Sequence, residues 1–154
     1  MTDTEIGING MAHVILAVSE WERCRDFYEA LLPFLGLKRT FSGQDMIYYV
    51  GARTAVGVGR CDRQYAQDRF VQNSVGLHHM CFRARSREDV DAVHTFLKDR
   101  QAKIVHPPEE GSWAPGYYSV LFEDPAGIRL EVNYVPGKGV LAEGVSFNPS
   151  GDYQ

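Results

Sequence analysis

Two histidines and one glutamate carry the strongest chemical signal in this sequence. His13 lies in the segment AHVILAV, His79 lies 66 positions later in LHHMCFRA, and Glu131 lies in IRLEVNY. Two imidazoles and a carboxylate are a typical ligand set for divalent Mn, Fe, Co, Ni or Zn. The sequence therefore predicts a metal site at these three residues, with positions left open for water or a substrate. The alternatives are structural hydrogen bonds for both histidines and an ion pair between Glu131 and Arg129.

The spacing of 66 residues also relates two longer segments, so the chain contains a weak internal repeat. The stretches ERCRDFYEALLPFLG and REDVDAVHTFLKDRQA both place apolar residues at the i, i+3, i+4, i+7 spacing of an amphipathic helix. Ser19 and Ser86 are the predicted N-caps, and Gly36 is the predicted residue that ends the first helix. The predicted strands are 12–18, 38–42, 46–50 and 54–58 in the first half, and 77–84, 103–106, 117–122 and 128–134 in the second.

Each half thus follows the order strand, helix, strand, strand, strand, which predicts an α+β fold of two βαβββ modules. Neither module is large enough to bury a sheet face easily by itself. We expect modules 11–60 and 76–135 to form a single domain, 11–135, with a curved mixed sheet as a cup and the helices on its outer face. Residues 1–10 are an N-terminal extension, and the loop 107–116 is rich in proline and glycine. The tail 136–154 is expected to be disordered or to lie across a partner subunit.

Strand alternation predicts which side chains enter the cup. In the last strand the apolar Ile128, Leu130 and Val132 belong to the core, which leaves Glu131 facing the cup. His78 is expected to face the helices or the module junction, and it is the weaker candidate for the ligand assigned to His79. His94 and His106 are expected to be structural or solvated. The candidate catalytic residues are Glu131, Tyr117 and Arg83, and the candidate substrate-binding residues are Arg83, Ser119, Trp113 and Asn133.

Arg83 and Tyr117 have chemically distinct predicted roles. The guanidinium of Arg83 suits a substrate carboxylate or phosphate, and its alternative is a salt bridge to Glu131 or another acid. Tyr117 and Ser119 are candidates for orienting the substrate or for general acid–base work. Tyr48 or Tyr49 and Trp113 are candidates for the wall of the pocket, with ordinary packing as the alternative.

Composition excludes several other classes of protein. The 154 residues are 44% hydrophobic with a formal net charge of −4, and no basic run indicates nucleic-acid binding. The apolar stretches are strand-length and too short to cross a membrane. The polar, acidic N-terminus lacks the pattern of a secretory signal, so a cytoplasmic protein is expected. Three isolated cysteines argue against a disulfide framework or a thiolate zinc site, and Cys24 and Cys81 are predicted to be buried.

The strings AHVILAV, GLHHMCFRA and FEDPAGIRLEVNYV resemble the vicinal oxygen chelate superfamily, over roughly residues 11–135. The most specific part is a D-P-x-G-x-x-[LI]-E pattern, formed here by Asp124, Pro125, Gly127, Leu130 and Glu131. The superfamily includes glyoxalase I, methylmalonyl-CoA epimerase, fosfomycin-resistance enzymes, extradiol dioxygenases and bleomycin-binding proteins. The resemblance implies that His13, His79 and Glu131 hold one divalent ion per chain, that the partner is a small-molecule substrate, and that the protein is a homodimer.

The sequence departs from each named activity at an identifiable position. Gly57 stands where glyoxalase I and the epimerase have a fourth ligand. Leu121 replaces a tyrosine of the fosfomycin enzymes and dioxygenases, Ile15 replaces a threonine of the former, and residues 112–115 lack the additional histidine of the latter. The resemblance therefore implies a glyoxalase-like lyase or isomerase that stabilises an enolate or alkoxide of a substrate chelated through vicinal oxygens. The alternatives are a dimeric antibiotic-sequestering protein of the bleomycin-resistance type and an extradiol-type dioxygenase.

Overall fold

A computed structural model describes residues 7–51 and 53–147. The chain divides into two compact units, Met1–Arg69 and Phe70–Gln154. The predicted modules fall one in each unit, and their grouping into a single domain stays a prediction. The elements are β1 (Val14–Val18), α1 (Trp21–Phe34), β2 (Lys38–Ser42), β3 (Met46–Gly51) and β4 (Thr54–Arg60) in the first unit, and β5 (Met80–Arg83), α2 (Arg87–Asp99), β6 (Lys103–Glu110), β7 (Tyr118–Glu123) and β8 (Arg129–Tyr134) in the second. In the described part of the chain, no helix has the length and apolarity needed to span a membrane.

The two units have the same internal topology. The strand order is β1-β4-β3-β2 in the first sheet and β5-β8-β7-β6 in the second. In each sheet the first strand lies parallel to the last one, and the remaining neighbours are antiparallel. A parallel strand pair needs a crossover connection between its two strands. In each unit this connection includes the helix, which follows the first strand in the sequence. The α+β class and the repeated βαβββ order are confirmed.

The helices bury the faces that their periodicity predicts. Helix α1 buries Cys24, Phe27, Tyr28 and Leu31, and α2 buries Val90, Val93 and Leu97. Ser86 caps α2, since its side chain accepts a hydrogen bond of 3.1 Å from the backbone N–H of Asp89. The prediction for Ser19 is wrong, because Glu20 occupies the N-cap position of α1 with a left-handed backbone and no side-chain cap.

One predicted loop boundary is confirmed and another is corrected. Gly36 ends α1 as predicted, with φ of 87° and a hydrogen bond of 2.9 Å from its N–H to the carbonyl of Pro33. The predicted loop 107–116 is wrong in its first part, because β6 continues through Pro107 and Pro108 to Glu110. Strand β6 is at the edge of its sheet and its register shifts there, and these are the places where a strand tolerates proline.

The beginnings of β1 and β5 also differ from the predictions. His13 and His79 each lie immediately before a strand rather than within one. The described part of the tail belongs to the second unit and packs within it, since the rings of Phe147 and Trp113 lie 5.4 Å apart. Residues 148–154 and 1–6 of the predicted extensions lie outside the described residues.

Candidate functional site

Strand β8 places Glu131 on the sheet face opposite the core of the second unit. Its neighbours Leu130 and Val132 are buried apolar residues of that core, against which α2 packs. Because successive side chains of a strand point to opposite faces, Glu131 points away from them. Glu131 is nonetheless only 6% exposed. A buried carboxylate requires hydrogen-bond donors or cations around it, so its surroundings define the candidate site.

The carboxylate of Glu131 is surrounded by polar groups from the beginnings of the two neighbouring strands, β5 and β7. His79 Nε2 lies 3.3 Å from Glu131 Oε2, and the Tyr117 hydroxyl donates a hydrogen bond to Oε1. Ser119, which is 2% exposed, is a further hydrogen-bond partner. Directly across the sheet, Glu131 pairs with Cys81 on β5 and with Leu121 on β7. The second unit therefore brings together four of the predicted site residues: His79, Tyr117, Ser119 and Glu131.

These contacts determine the charge of Glu131. Burial by itself raises the pKa of the Glu131 carboxyl, but the hydrogen bonds from His79, Tyr117 and Ser119 outweigh it, so that the net pKa is lowered. Burial and the hydrogen bond to Glu131 raise the pKa of the Tyr117 hydroxyl well above its usual value of 10.0. At neutral pH the site thus holds a carboxylate anion and a protonated phenol that donates its hydroxyl proton to that carboxylate.

Cys81 is the principal correction at this site. It was predicted to be buried, but it is exposed, because it shares the strand parity of His79 and Arg83 rather than that of the core residues. Desolvation of the thiol by the atoms around it raises its pKa well above the usual value. The adjacent Glu131 carboxylate, with which the thiol hydrogen-bonds, raises the pKa further. Cys81 is therefore a neutral thiol beside Glu131. Strand alternation in the sequence already predicts this face for Cys81, together with His79 and Arg83, and only its predicted burial is wrong.

The remaining predicted residues of the second unit lie around this cluster. Asn133 is directly opposite both Ser119 and Arg83 in the sheet, and it hydrogen-bonds to Tyr117. Trp113 is buried, with its ring 6.5 Å from that of Tyr117. Arg83 is exposed. Asn133 thus belongs to the cluster, and Trp113 packs beside Tyr117. Arg83 lies on the edge strand β5 with its side chain exposed to solvent.

The two alternative ion pairs of Glu131 are absent from the described residues. Arg129 instead pairs with Glu123, with Nε and Oε1 separated by 3.7 Å. Arg83 has no salt bridge among residues 7–51 and 53–147. The described ion-pair partner of Glu131 is His79.

His78 is a site residue that sequence reasoning placed elsewhere. It was expected to face the helices or the module junction, yet its Nδ1 lies 2.8 Å from Nδ1 of His79. Gln72 Nε2 lies 3.4 Å from the same nitrogen of His78. The connector that holds Gln72 has no periodicity, so no sequence signal could have placed it here.

His13 and Gly57 belong to the first unit, where strand register settles an alignment that the sequence leaves open. Ile15, the second residue of β1, pairs with Gly57 on β4. In the second unit Cys81, the second residue of β5, pairs with Glu131 on β8. Gly57 is therefore the counterpart of Glu131 in the repeat, and the first unit has no ligand at that position. His13 precedes β1 as His79 precedes β5.

A ligand side chain at position 57 would also be crowded by its neighbours. A Cβ on Gly57 would lie 3.0 Å from Met46 Cε and from Tyr48 Cδ2, and 3.1 Å from Ile15 Cγ1. We expect Gly57→Gln to lower the free energy of unfolding by about 1–3 kcal/mol, as overpacking does, when measured by urea denaturation. Gly59→Gln on the same strand is the matched control, because a Cβ there meets only the carbonyl oxygen of Asp45 at 3.6 Å. Equal stabilities of the two variants would contradict this account.

A divalent metal fits the described geometry in part. Among residues 7–51 and 53–147, no group of three or more His, Cys, Asp or Glu side chains is arranged to hold a metal ion. The pair His79 Nε2 and Glu131 Oε2, however, is separated by 3.3 Å. Two ligand atoms at about 2.1 Å from one ion lie about 3.0–3.4 Å apart at octahedral or tetrahedral angles. The imidazole and carboxylate therefore have the spacing and the chemistry of two ligands of one ion.

Most of the chain matches one known protein family. Residues 10–132 match the model of the Glyoxalase/Bleomycin resistance protein/Dioxygenase superfamily. The chain belongs to this superfamily. The D-P-A-G-I-R-L-E segment on which the sequence-based resemblance depends lies within the matched residues, so the family prediction is confirmed.

Individual proteins are similar to this chain over most of their length. The uncharacterized protein YqjT of Bacillus subtilis (strain 168) is 28% identical over 126 residues, which cover 79% of this chain and 96% of that protein. A candidate glyoxalase from Bacillus halodurans has a crystal structure that is 29% identical, with a TM-score of 0.73 and coverage of 82% and 96%. Lactoylglutathione lyase from Agrobacterium tumefaciens, at 19% identity, a TM-score of 0.59 and coverage of 82% and 94%, shares the fold.

Proposed function

We propose that this glyoxalase-superfamily protein is a divalent-metal-dependent enzyme of the lyase or isomerase type, acting on a small substrate that chelates the metal through vicinal oxygens. The proposed ligands are His13, His79 and Glu131. The observation that carries the proposal is the buried anionic carboxylate of Glu131, facing His79 Nε2 at 3.3 Å. His13 is included among the proposed ligands because it occupies the equivalent position of the repeat: it directly precedes β1 as His79 directly precedes β5.

The side chains around Glu131 support a division of roles. A bound divalent ion would act as a Lewis acid on the oxygens of the substrate. The Tyr117 hydroxyl keeps its proton, since its pKa is raised, and donates a hydrogen bond to the carboxylate. Its proposed role is therefore that of a general acid or a hydrogen-bond donor. Ser119 hydrogen-bonds to Glu131 and Asn133 to Tyr117, so their proposed role is to orient these two groups. The exposed Arg83 is the proposed partner of a substrate carboxylate or phosphate.

The proposal is tested by titrating metal-free protein with Zn²⁺, Ni²⁺, Mn²⁺ and Co²⁺ in a calorimeter. We expect one ion per chain to bind, and we expect His13→Ala and His79→Ala each to lose this binding. His94→Ala is the matched control, because His94 lies on helix α2 and should leave the stoichiometry unchanged. Failure of every metal to bind the wild-type protein would rule out the proposal, and binding that survives His13→Ala would remove that residue from the ligand set.

The alternative of a sequestering protein makes an opposite prediction for the same samples. Such a protein should bind an apolar drug with equal affinity in the presence and absence of metal, and it should turn over no dicarbonyl, thiol adduct, epoxide or catechol. The buried polar cluster around Glu131 favours the enzyme, since burying a carboxylate is costly in a pocket that only has to hold an apolar ligand. Turnover of one of these substrates that requires the metal would decide between the two functions.

We also propose a homodimer, which the family resemblance implies. Light scattering coupled to size exclusion should give twice the chain mass, and the mass of a single chain at micromolar concentration would contradict it.

A further inference from the structure

The tail segment 136–147 contacts the loop before β7 at both of its own ends. At the first end, Pro136 packs closely on Gly116, since a Cβ on Gly116 would lie 2.7 Å from Cγ of Pro136. At the second end, the ring of Phe147 lies 5.4 Å from the ring of Trp113. Trp113 is only 6% exposed, whereas Phe147 is 59% exposed. Phe147 therefore lies on the surface of the unit and covers the tryptophan ring from outside.

The loop that the tail contacts, residues 111–117, ends at Tyr117. Two backbone hydrogen bonds close it, from the N–H of Gly111 to the carbonyl of Tyr117 at 3.0 Å and from the N–H of Tyr117 to the carbonyl of Ala114 at 3.1 Å. The Trp113 ring lies 6.5 Å from the Tyr117 ring. Both rings also pack on Gly111, where a Cβ would lie 3.1 Å from Tyr117 Cδ1 and 3.2 Å from Trp113 Cδ1. Because close-packed side chains transmit displacements, a shift of the Trp113 ring is expected to move the Tyr117 ring.

The orientation of the Tyr117 ring decides where its hydroxyl lies. That hydroxyl donates a hydrogen bond to Oε1 of Glu131, and such a bond weakens steeply as its angle departs from linearity. The backbone bonds of the loop hold the main chain of Tyr117, whereas the direction of its ring depends on the groups packed against it. For a catalytic group the requirement is stricter, since a displacement of about 1 Å caused by a remote change can lower the rate about 100-fold.

We propose that Trp113 and Phe147 are positioning residues: Phe147 holds Trp113 against Tyr117, and this packing keeps the Tyr117 hydroxyl on Glu131. The tail segment 136–147 is then required for the geometry of the site, to which it is joined by aromatic contacts. The expected effect on turnover rests on the proposed function. The effect on the hydrogen bond between Tyr117 and Glu131 is a property of the metal-free protein and is measured without a substrate.

The first experiment is a double-mutant cycle between Phe147→Ala and Tyr117→Phe in the metal-free protein. Phe147→Ala removes an aromatic contact and, if Phe147 is a positioning residue, also loosens the hydrogen bond to Glu131. The second loss cannot occur when the hydroxyl is already absent. We therefore expect the shift of the urea midpoint caused by Phe147→Ala to be about half as large in the Tyr117→Phe background as in wild type. Equal shifts in the two backgrounds would mean that Phe147 only covers apolar surface, and would overturn the inference.

Leu141→Ala is the matched control for this cycle. Leu141 is an apolar residue of the same tail and is 85% exposed, so its truncation should leave the urea midpoint unchanged in both backgrounds. Phe147→Tyr keeps the aromatic ring and should retain the wild-type midpoint. If Leu141→Ala were coupled to Tyr117→Phe as strongly as Phe147→Ala, general loosening of the tail would explain the result, and the role of the Phe147 ring would be refuted.

The second experiment repeats the cycle with kcat, on a substrate that the wild-type protein turns over. We expect Phe147→Ala to lower kcat by about 10-fold, less than the cost of a full ångström of misplacement. In the Tyr117→Phe background it should change kcat by less than about twofold, since Phe147 acts through the hydroxyl. Equal decreases in both backgrounds would contradict the inference. If the wild-type protein binds no metal and turns over no substrate, the proposed function fails, whereas the urea cycle still decides whether Phe147 positions Tyr117.

Discussion

Replacing Glu131 by glutamine is expected to weaken the binding of a divalent metal by more than about 100-fold, since losing even an outer-shell partner costs 10–100-fold. Glutamine keeps the shape of the side chain and an oxygen that can accept the Tyr117 hydrogen bond, so the packing of the buried position is retained. What it removes is the negative charge that faces His79 Nε2 at 3.3 Å. Calorimetric titration with Zn²⁺ or Ni²⁺ measures the difference.

Glu123→Gln is the matched control for this variant. Glu123 is a buried glutamate in the same unit, but it pairs with Lys103, at 2.9 Å between Nζ and Oε2, and with Arg129. We expect it to keep the wild-type metal affinity. Equal losses of affinity in the two variants would mean that both act through the fold, and Glu131 would lose its place as a ligand.

Glu131→Gln should also change how the stability of the metal-free protein depends on pH. The pKa of Glu131 is lowered in the folded state, so the carboxylate contributes stability that is fully present above the ordinary carboxyl pKa of about 4.3. That contribution is lost as the pH falls through the lower, folded-state pKa. We therefore expect the difference in free energy of unfolding between wild type and variant to shrink as the pH falls below about 4. A difference that grows on acidification would contradict the sign of this pKa shift.

Replacing Tyr117 by phenylalanine is expected to lower kcat by about 10²–10⁴-fold on any substrate that the screen identifies, which is the usual contribution of a general acid. The phenol is protonated at neutral pH, since its pKa lies at or above the ordinary value of 10.0, so it has a proton to donate. The variant also removes a hydrogen bond to a buried carboxylate, which should lower the free energy of unfolding by about 1–3 kcal/mol. Enzyme kinetics and urea denaturation measure the two effects.

Tyr118→Phe separates chemistry from the general loss of a tyrosine hydroxyl. Tyr118 is the adjacent residue, and its hydroxyl donates to Asp91 on α2 at 2.7 Å, away from Glu131. We expect its kcat to remain within about twofold of wild type, because substitutions away from the site have small effects. If Tyr117→Phe raises KM and leaves kcat unchanged, Tyr117 serves substrate binding and the proton-donor role is withdrawn.

Much of the fold was predictable because local periodicity and turn chemistry determine it. The apolar faces of α1 and α2 follow from the 3.6-residue period, and Gly36 and Ser86 mark a helix end and a helix start through backbone chemistry that acts over a few residues. The continuation of β6 through Pro107 was missed because proline is a strand breaker in isolation. Its tolerance there depends on the edge position of β6, which exists only in the assembled sheet.

The candidate site divides along the same line. The sequence alone determined the family and the residue types of the site, since the D-P-A-G-I-R-L-E pattern and the alternation of β8 are local. It also indicated that Glu131 faces away from the core. Tertiary structure decided which groups surround that carboxylate: Tyr117 reaches it from the start of β7, whereas Leu121, directly across the sheet, offers no polar atom.

Tertiary structure likewise decided the partners of the charged and imidazole groups. Arg129 pairs with Glu123 instead of Glu131, and His78 contacts His79 rather than the core. Strand pairing also made Gly57 the counterpart of Glu131. Periodicity is a property of a few neighbouring residues, and it predicts which face of a helix or strand a side chain occupies. Hydrogen-bond partners are chosen across strands far apart in the sequence, and distances of a few ångströms there depend on how the whole sheet pairs.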